Sequence, residues 1–406
     1  MMVKENIYIL PQYRMELAGE LSSILDFWIN NMMDEKQGGF FGSLDNNNLA
    51  NHGAEKGIVL NSRILWTFSA AYARFNEPQY LDMAARAYKY IIDHFIDRKY
   101  GGVYWSVDHT GKMLNGRKQI YGLAFCIYGL TEYYKASNDI VALHIAQNLY
   151  EHIEQYSFDR ENGGYLEAFT QGWKIIDDMR LSEKDDNEKK TMNTHLHIIE
   201  AYANLYTAWP EKKLKESIRH LLDVFEEHFI DKRSYHLNLF MDDQWNVRSS
   251  LISYGHDIEA AWLLLDCAEK TESAGYTSRY KELGVKIAEA ATEGLAEDGG
   301  LWYEYDPAGN RLVKEKHSWP QAEAMIGLMN AYQLTGEEKY LHRSFGAWNF
   351  IKKHIKDARN GEWFWGVKAD YSVMQKEKAG FWKCPYHNAR ACMEVIRRIT
   401  NEINCK

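Results

Sequence analysis

The 406-residue sequence predicts an all-α fold, an (α/α)6 barrel of six helical hairpins with the long loops gathered at one end. Three observations carry that expectation. A short phrase of Asp, polar residues, Gly-Gly and aromatics recurs six times at a nearly constant period. A helix-periodic segment stands before each copy, and a second, more apolar one follows it across a long loop. Six prolines in the whole chain leave such helices uninterrupted.

The phrase reads DEKQGGFF from Asp34, DRKYGGVYW from Asp97, DRENGGYLE from Asp159, EDGGLWYEY from Glu297 and DARNGEWFW from Asp357, with a worn copy, DKRSYHLNLF, from Asp231. Its first glycine or equivalent falls at 38, 101, 163, 235, 299 and 361, giving spacings of 63, 62, 72, 64 and 62 residues. In the outer segment YLDMAARAYKYIIDHFI, the residues Leu81, Ala84, Ala85, Tyr88, Ile91, Ile92 and Phe95 mark one stripe. The inner segments are NSRILWTFSAAYARF, QIYGLAFCIYGLTEYY, NTHLHIIEAYANLY, YGHDIEAAWLLLDCAEK, QAEAMIGLMNAYQL and HNARACMEVIRRI. A helix pair cannot bury its apolar faces alone, whereas six pairs close into a ring with the more apolar set inside. Residues 1–406 are expected to form one catalytic domain. The inner-to-outer turns (FNEPQY, KASND, LTGEEKY) are short, so the long loops leave a single end, where loops on a rigid scaffold place function.

Composition narrows the function. Hydrophobic residues at 46% and charged residues at 26% describe a globular chain with a large core. A net charge of −9 argues against nucleic acid, because phosphate binding needs a basic face. No apolar run is long enough for a membrane span, and Glu5 interrupts Met1–Leu10 where a signal peptide would be apolar, so a cytoplasmic protein without membrane partners is expected. Cys126, Cys267, Cys384, Cys392 and Cys405 are scattered and lack CxxC spacing, which indicates neither a disulfide framework nor a zinc knuckle.

Polar residues interrupt the inner segments near their starts: Asn61-Ser62-Arg63, Lys118-Gln119 with Tyr121, Asn193-Thr194-His195 with His197, His256-Asp257 with Glu259, Ser318-Trp319 with Gln321 and Glu323, and Tyr386-His387-Asn388 with Arg390. In a closed ring these clusters converge on a concave pocket. Taken singly, Asn61, Asn193 and Ser318 read as helix caps. His197, three residues before Glu200, reads equally as a satisfied core histidine, and His256 and Glu259 at i, i+3 as a structural pair. Three histidines at the same end of three inner helices suit a reaction that removes and returns a proton near neutral pH. A pocket with Trp and polar groups suits a neutral sugar, and an Arg beside an enediolate would stabilise charge that exists only along the reaction path. Metal binding is disfavoured because His195-x-His197 does not share a helix face and no HExxH motif occurs. Two-carboxylate glycoside hydrolysis and a non-catalytic sugar-binding barrel are the other readings.

The segments SYGHDIEAAWLLLDCAE, KHSWPQAEAM, GFWKCPYHNARACMEV, NTHLHIIEAYANLY and HLNLFMDDQWN resemble the cellobiose 2-epimerases, a branch of the N-acylglucosamine 2-epimerase group, and the similarity runs over essentially the whole chain. The resemblance implies a cofactor-free, metal-free conversion of the reducing-end glucose of cellobiose or lactose to mannose through an enediolate. It also implies His256 and His387 as acid/base pair, His197 near the reacting oxygens, Glu259 as the carboxylate partnering the histidine chemistry, and Arg63 on the intermediate's oxygens. Trp319 and Trp382 match the stacking tryptophans, and Asn193, Tyr121 and Asp185 fall at sugar-contacting positions. The nearest alternative is a monosaccharide 2-epimerase or aldose–ketose isomerase of the same family. A disaccharide substrate and a monomer or weak homodimer are expected.

Overall fold

The computed structural model describes residues 2–404. Its twelve α-helices alternate between two layers: α1 (Met2–Asn31), α2 (Ile58–Phe75), α3 (Pro78–His94), α4 (Ile120–Ser137), α5 (Ile140–His152), α6 (Met192–Ala208), α7 (Lys212–Val224), α8 (Tyr254–Lys270), α9 (Ala274–Ala291), α10 (Ser318–Thr335), α11 (Glu338–Phe350) and α12 (Tyr386–Asn404). The even-numbered helices form the inner ring, each packed on the next, and α12 meets α2 to close it. Their sides are buried nearly all round, as expected of helices enclosed by a second layer. The (α/α)6 expectation holds.

Several boundaries differ in detail. Helix α2 begins at Ile58, three residues before the expected Asn61, and α10 at Ser318, because Pro320 sits in a first turn whose N–H groups have no intrahelical partner in any case. On α3 the buried face is Tyr80, Met83, Ala84, Ala87, Tyr90 and Ile91, while Leu81, Ala85 and Tyr88 are only partly covered. The face is rotated because the large rings of Tyr80 and Tyr90 turn inward. Gly39, at φ 61°, makes room for one of them: a Cβ there would lie 2.6 Å from the Tyr90 ring.

The recurring phrase is a turn with one conformation. The residues at 38, 101, 163, 235, 299 and 361 all have φ between 63° and 86°, including Tyr235, the non-glycine in the worn copy. In five copies a buried lysine near the start of the following inner helix reaches back to the phrase's aspartate: Lys56 to Asp34, Lys118 to Asp97, Lys190 to Asp159, Lys316 to Asp298 and Lys378 to Asp357, at 2.6–2.8 Å. The fourth copy is fastened differently, with His236 Nδ1 2.7 Å from Asp257 Oδ2 at the start of α8.

Short pairings absent from the sequence reading tie each loop to the next. Lys56–Gly57 pairs with Ser106–Val107, Lys118–Gln119 with Ala168–Phe169, Lys190–Thr191 with Phe240–Met241, Ile252–Ser253 with Glu304–Tyr305, and Lys316–His317 with Gly366–Val367. A bridge between Leu44 and Ala379 completes the circle. Two-residue strands are too short to show an alternating pattern. Cys126, Cys267, Cys384 and Cys392 are buried free thiols, and Cys405 lies outside the described residues. Among the described residues, no helix is long and apolar enough to cross a membrane.

Candidate active site

The long loops and the first turns of the inner helices enclose a cavity of about 570 Å3. Arg63, Tyr121, Asp185, Asn193, His197, His256, Glu259, Trp319, Trp382 and His387 all line it. Chemically the wall divides into an imidazole face, a guanidinium corner and a loop-built mouth.

His256 and His387 both pack against one indole, with ring centroids 4.8 and 5.6 Å from that of Trp319. His387 Nδ1 lies 2.7 Å from Glu323 Oε1, and His197 Nδ1 lies 2.9 Å from Glu200 Oε2. Burial raises the cost of ionising both glutamates, yet the Arg390 guanidinium and the facing histidines hold them below the usual carboxylate range. An ionised carboxylate only accepts, so each imidazole donates from Nδ1–H and leaves the Nε2 lone pair free. His256 Nδ1 pairs instead with Ser253 Oγ at 2.8 Å. The expected pairing of His256 with Glu259 does not form: Glu259 Oε1 accepts from Arg390 Nη2 at 2.7 Å. Glu259 is pushed up by burial and by Glu323, so the proton of this crowded acidic group resides on Glu259.

Arg63, 3% exposed, donates from Nη2 to the Tyr121 hydroxyl at 2.7 Å and from Nη1 to the Trp382 carbonyl at 3.3 Å. Its guanidinium lies 4.1 Å from the centroid of Phe125. The Tyr121 ring stands edge-on to His197 at 5.0 Å, which brings the guanidinium corner against the third histidine. Asn193 is the second residue of α6; the cap is Thr191, and Asn193 Oδ1 is buried without a protein partner. Asn61 and Ser318 are likewise inside their helices rather than capping them, Asn61 donating back to the Gly57 carbonyl at 2.8 Å. Asp185 accepts from the Ser182 amide and hydroxyl at 2.9 and 2.6 Å, which fixes the loop it stands on.

Of the sequence clusters, Asn61, Ser62, Lys118, Gln119, Thr194, His195, Asp257, Gln321, Glu323, Tyr386 and Arg390 do not line the cavity, and three of them share one role. His195, Asp257 and Gln321 each occupy the fourth position of an inner helix and bind the phrase behind it: His195 Nε2 accepts from the Tyr165 amide, Asp257 Oδ1 from that of Leu237, and Gln321 Oε1 from that of Leu301. Sequence reasoning missed the mouth. Lys184 bonds the Tyr303 hydroxyl, Tyr303 stacks on His317 at 3.8 Å, and Trp365 and Lys376 line the same side. Tyr303 and Trp365 stand at the aromatic ends of the fifth and sixth phrases, but the period does not say which phrase aromatics reach the cavity, and Lys184 and Lys376 stand on loop segments outside the phrase.

Glu259, Glu323 and His387 bring ligand atoms within 4.8 Å of one another, a spacing a metal ion would accept. Arg390 Nη2 already donates to both carboxylates at 2.7 Å, so the positive charge between them comes from the protein. Burial pulls His256 and His387 down to about 3, which keeps both rings neutral. A lowered pKa moves the acid limb of activity to lower pH. We therefore expect kcat/KM to change less than about threefold between pH 7 and 5, whereas a base of ordinary pKa ~6.5 would lose roughly 25-fold. An inflection near 6.5 in the pH profile would contradict this.

The model of the N-acylglucosamine 2-epimerase family matches residues 39–391. Cellobiose 2-epimerase of Bacteroides fragilis is 46% identical over 385 residues, covering 94% of this chain and 98% of its own. That of Ruminococcus albus is 39% identical, with 96% and 99% covered. The solved structure of cellobiose 2-epimerase from Bacillus thermoamylovorans B4167 superposes with a TM-score of 0.91 at 39% identity, covering 96% of this chain and 100% of that one.

Proposed function

The chain belongs to the N-acylglucosamine 2-epimerase family, and on that premise we propose that it is a cellobiose 2-epimerase, a carbohydrate isomerase acting on the reducing-end glucose of β-1,4-linked disaccharides. The observation that carries the reading is the pair of neutral imidazoles, His256 and His387, both against Trp319 in one cavity with Arg63. Residues 1–406 form its single catalytic domain, and the substrate is a small neutral sugar taken up by a monomer or weak homodimer. Buried free thiols suit the reducing cytoplasm.

Epimerisation at C2 needs an open-chain aldehyde, a base for the C2 proton, stabilisation of the enediolate and a proton delivered to the opposite face. Trp319 stacks on the sugar and places C2 between the two rings. The free Nε2 of His387 takes the C2 proton and that ring becomes an imidazolium. Rotation about C2–C3 turns the other face of the enediolate toward His256, which accepts the Ser253 hydroxyl at Nδ1 and gives C2 the hydrogen on its Nε2. The proton held by His387 passes back to His256 through solvent, so that both rings end neutral. Arg63, held by Tyr121, faces the enediolate oxygens, with His197 beside them. The N-termini of the inner helices surround the cavity and add positive potential where the negative charge develops. Glu259 donates a hydrogen bond to a sugar oxygen in its neutral form. Trp382, Asn193 and Asp185 hold the remaining hydroxyls.

Incubation with cellobiose in heavy water tests this. The expected product carries mannose at the reducing end and deuterium at C2. Release of free glucose as the main product, or recovered cellobiose without deuterium at saturating substrate, would overturn the reading.

A further inference from the structure

Arg390 lies one turn along α12 from His387, is 1% exposed and does not line the cavity. Its guanidinium serves carboxylates from three other helices. Nη1 donates to Glu200 Oε1 of α6 at 2.5 Å, and Nη2 donates to Glu259 Oε1 of α8 and Glu323 Oε1 of α10, each at 2.7 Å. Nη1 also bonds the Tyr386 hydroxyl, which itself donates to Glu200 Oε1 at 2.5 Å. Glu323 is further fixed by Trp262 Nε1 at 3.1 Å. Two of these carboxylates are the partners of His197 and His387, so one buried cation stands behind two imidazoles that it does not touch.

We propose that Arg390 is the positioning residue of the proton-transfer machinery: by fixing Glu200 and Glu323 as anions, it sets the tautomer of His197 and His387 and turns an unprotonated Nε2 of each toward the sugar. The need for it follows from the crowding. Glu259 and Glu323 converge on one guanidinium nitrogen. With Glu259 already neutral, loss of the cation leaves Glu200 and Glu323 as anions in a dry site without the buried positive charge that both contact, and a further proton enters the group. A protonated Glu323 can donate to Nδ1 of His387. The ring then carries its hydrogen on Nε2, and an Nε2–H cannot accept a proton from C2. Arg390 also fixes geometry, since a planar fork reaches several oxygens at once and a lysine ammonium does not reproduce that fork.

The proposal rests on the epimerase reading, and its test separates the two. Arg390→Met is expected to lower kcat for cellobiose on the order of a hundred-fold, with KM within about threefold, because the residue acts on the transfer and not on binding. Arg390→Lys, which keeps the charge and loses the fork, is expected to recover part of that loss. Side-chain 15N spectra, with His197 and His387 assigned by the signals lost in His197→Gln and His387→Gln, should show both as Nδ1–H tautomers in the wild-type protein. In Arg390→Met, His387 should move toward Nε2–H. A wild-type spectrum with either ring as Nε2–H overturns the proposal whether or not the variant folds. Wild-type kcat in Arg390→Met, or a loss confined to KM, overturns it as well. Should the wild-type protein leave cellobiose unchanged while both rings are Nδ1–H, the function reading fails and the tautomer assignment stands.

Discussion

Replacing His387 by alanine is expected to lower kcat on cellobiose by about three orders of magnitude, within the range general acid–base catalysis contributes. The side chain is 15% exposed at the cavity wall, so its removal opens the cavity rather than leaving a sealed void in the core. Glu323 keeps Arg390 and Trp262 as partners in the variant, so no buried charge is stranded. The fold therefore persists and the loss belongs to chemistry. His256→Ala should behave alike, its ring being held by one Ser253 hydroxyl. Measured kcat with the deuterium content at C2 checks both variants. A rate within about threefold of wild type in either would remove that residue from the acid/base pair.

The second large effect is on stability. Glu362, in the sixth phrase, accepts from Trp28 Nε1 of α1 at 3.0 Å, from Lys383 Nζ at 2.9 Å and from Asn388 Nδ2 of α12 at 2.7 Å. It is fully buried and joins the first helix to the last, where the chain closes its own circle. Glu362→Ala strands the Lys383 ammonium, which is 8% exposed, and leaves two further donors without an acceptor. Breaking one partner of such a pair costs about 3–5 kcal/mol. Urea unfolding of variant and wild type followed by tryptophan fluorescence measures the difference, and a change under about 0.5 kcal/mol, the scale of ordinary surface substitutions, would contradict the assignment.

The architecture was legible because it repeats. The left-handed φ at Tyr235 shows that the worn fourth copy keeps the conformation of its five relatives even without the glycine, so the period located it correctly. The inner-helix residues were legible for the same reason: a residue in the first two turns of an inner helix, such as His197, His256 or His387, has nowhere to point except the cavity or the loop behind. Sequence could not say which. His195 and His197 differ by two positions, and one grips the Tyr165 amide while the other faces the site. Lys118 was placed with the pocket clusters and Lys378 went unread, because only the aspartate at the far end of the loop makes either lysine an interior fastening rather than a pocket or solvent residue. Tyr303 and Trp365 lay in plain view within the fifth and sixth phrases, but the period does not tell which of the phrase aromatics turn to the cavity, and Lys184 stands on a loop segment with no repeat at all.

The fourth fastening of the ring gives one sector of the molecule an acid–base sensitivity its neighbours lack. Burial draws the His236 imidazole down, but Asp257 more than offsets this and lifts it above its ordinary value, while burial pushes the Asp257 carboxyl up, so the two residues share one proton. A histidine whose folded value exceeds its unfolded one stabilises fully below the unfolded value, near 6.5, and that contribution is lost as pH rises through the folded value. Mild alkali therefore slackens the stretch where α7 hands over to α8, and leaves the lysine-clasped sectors on either side drawn tight.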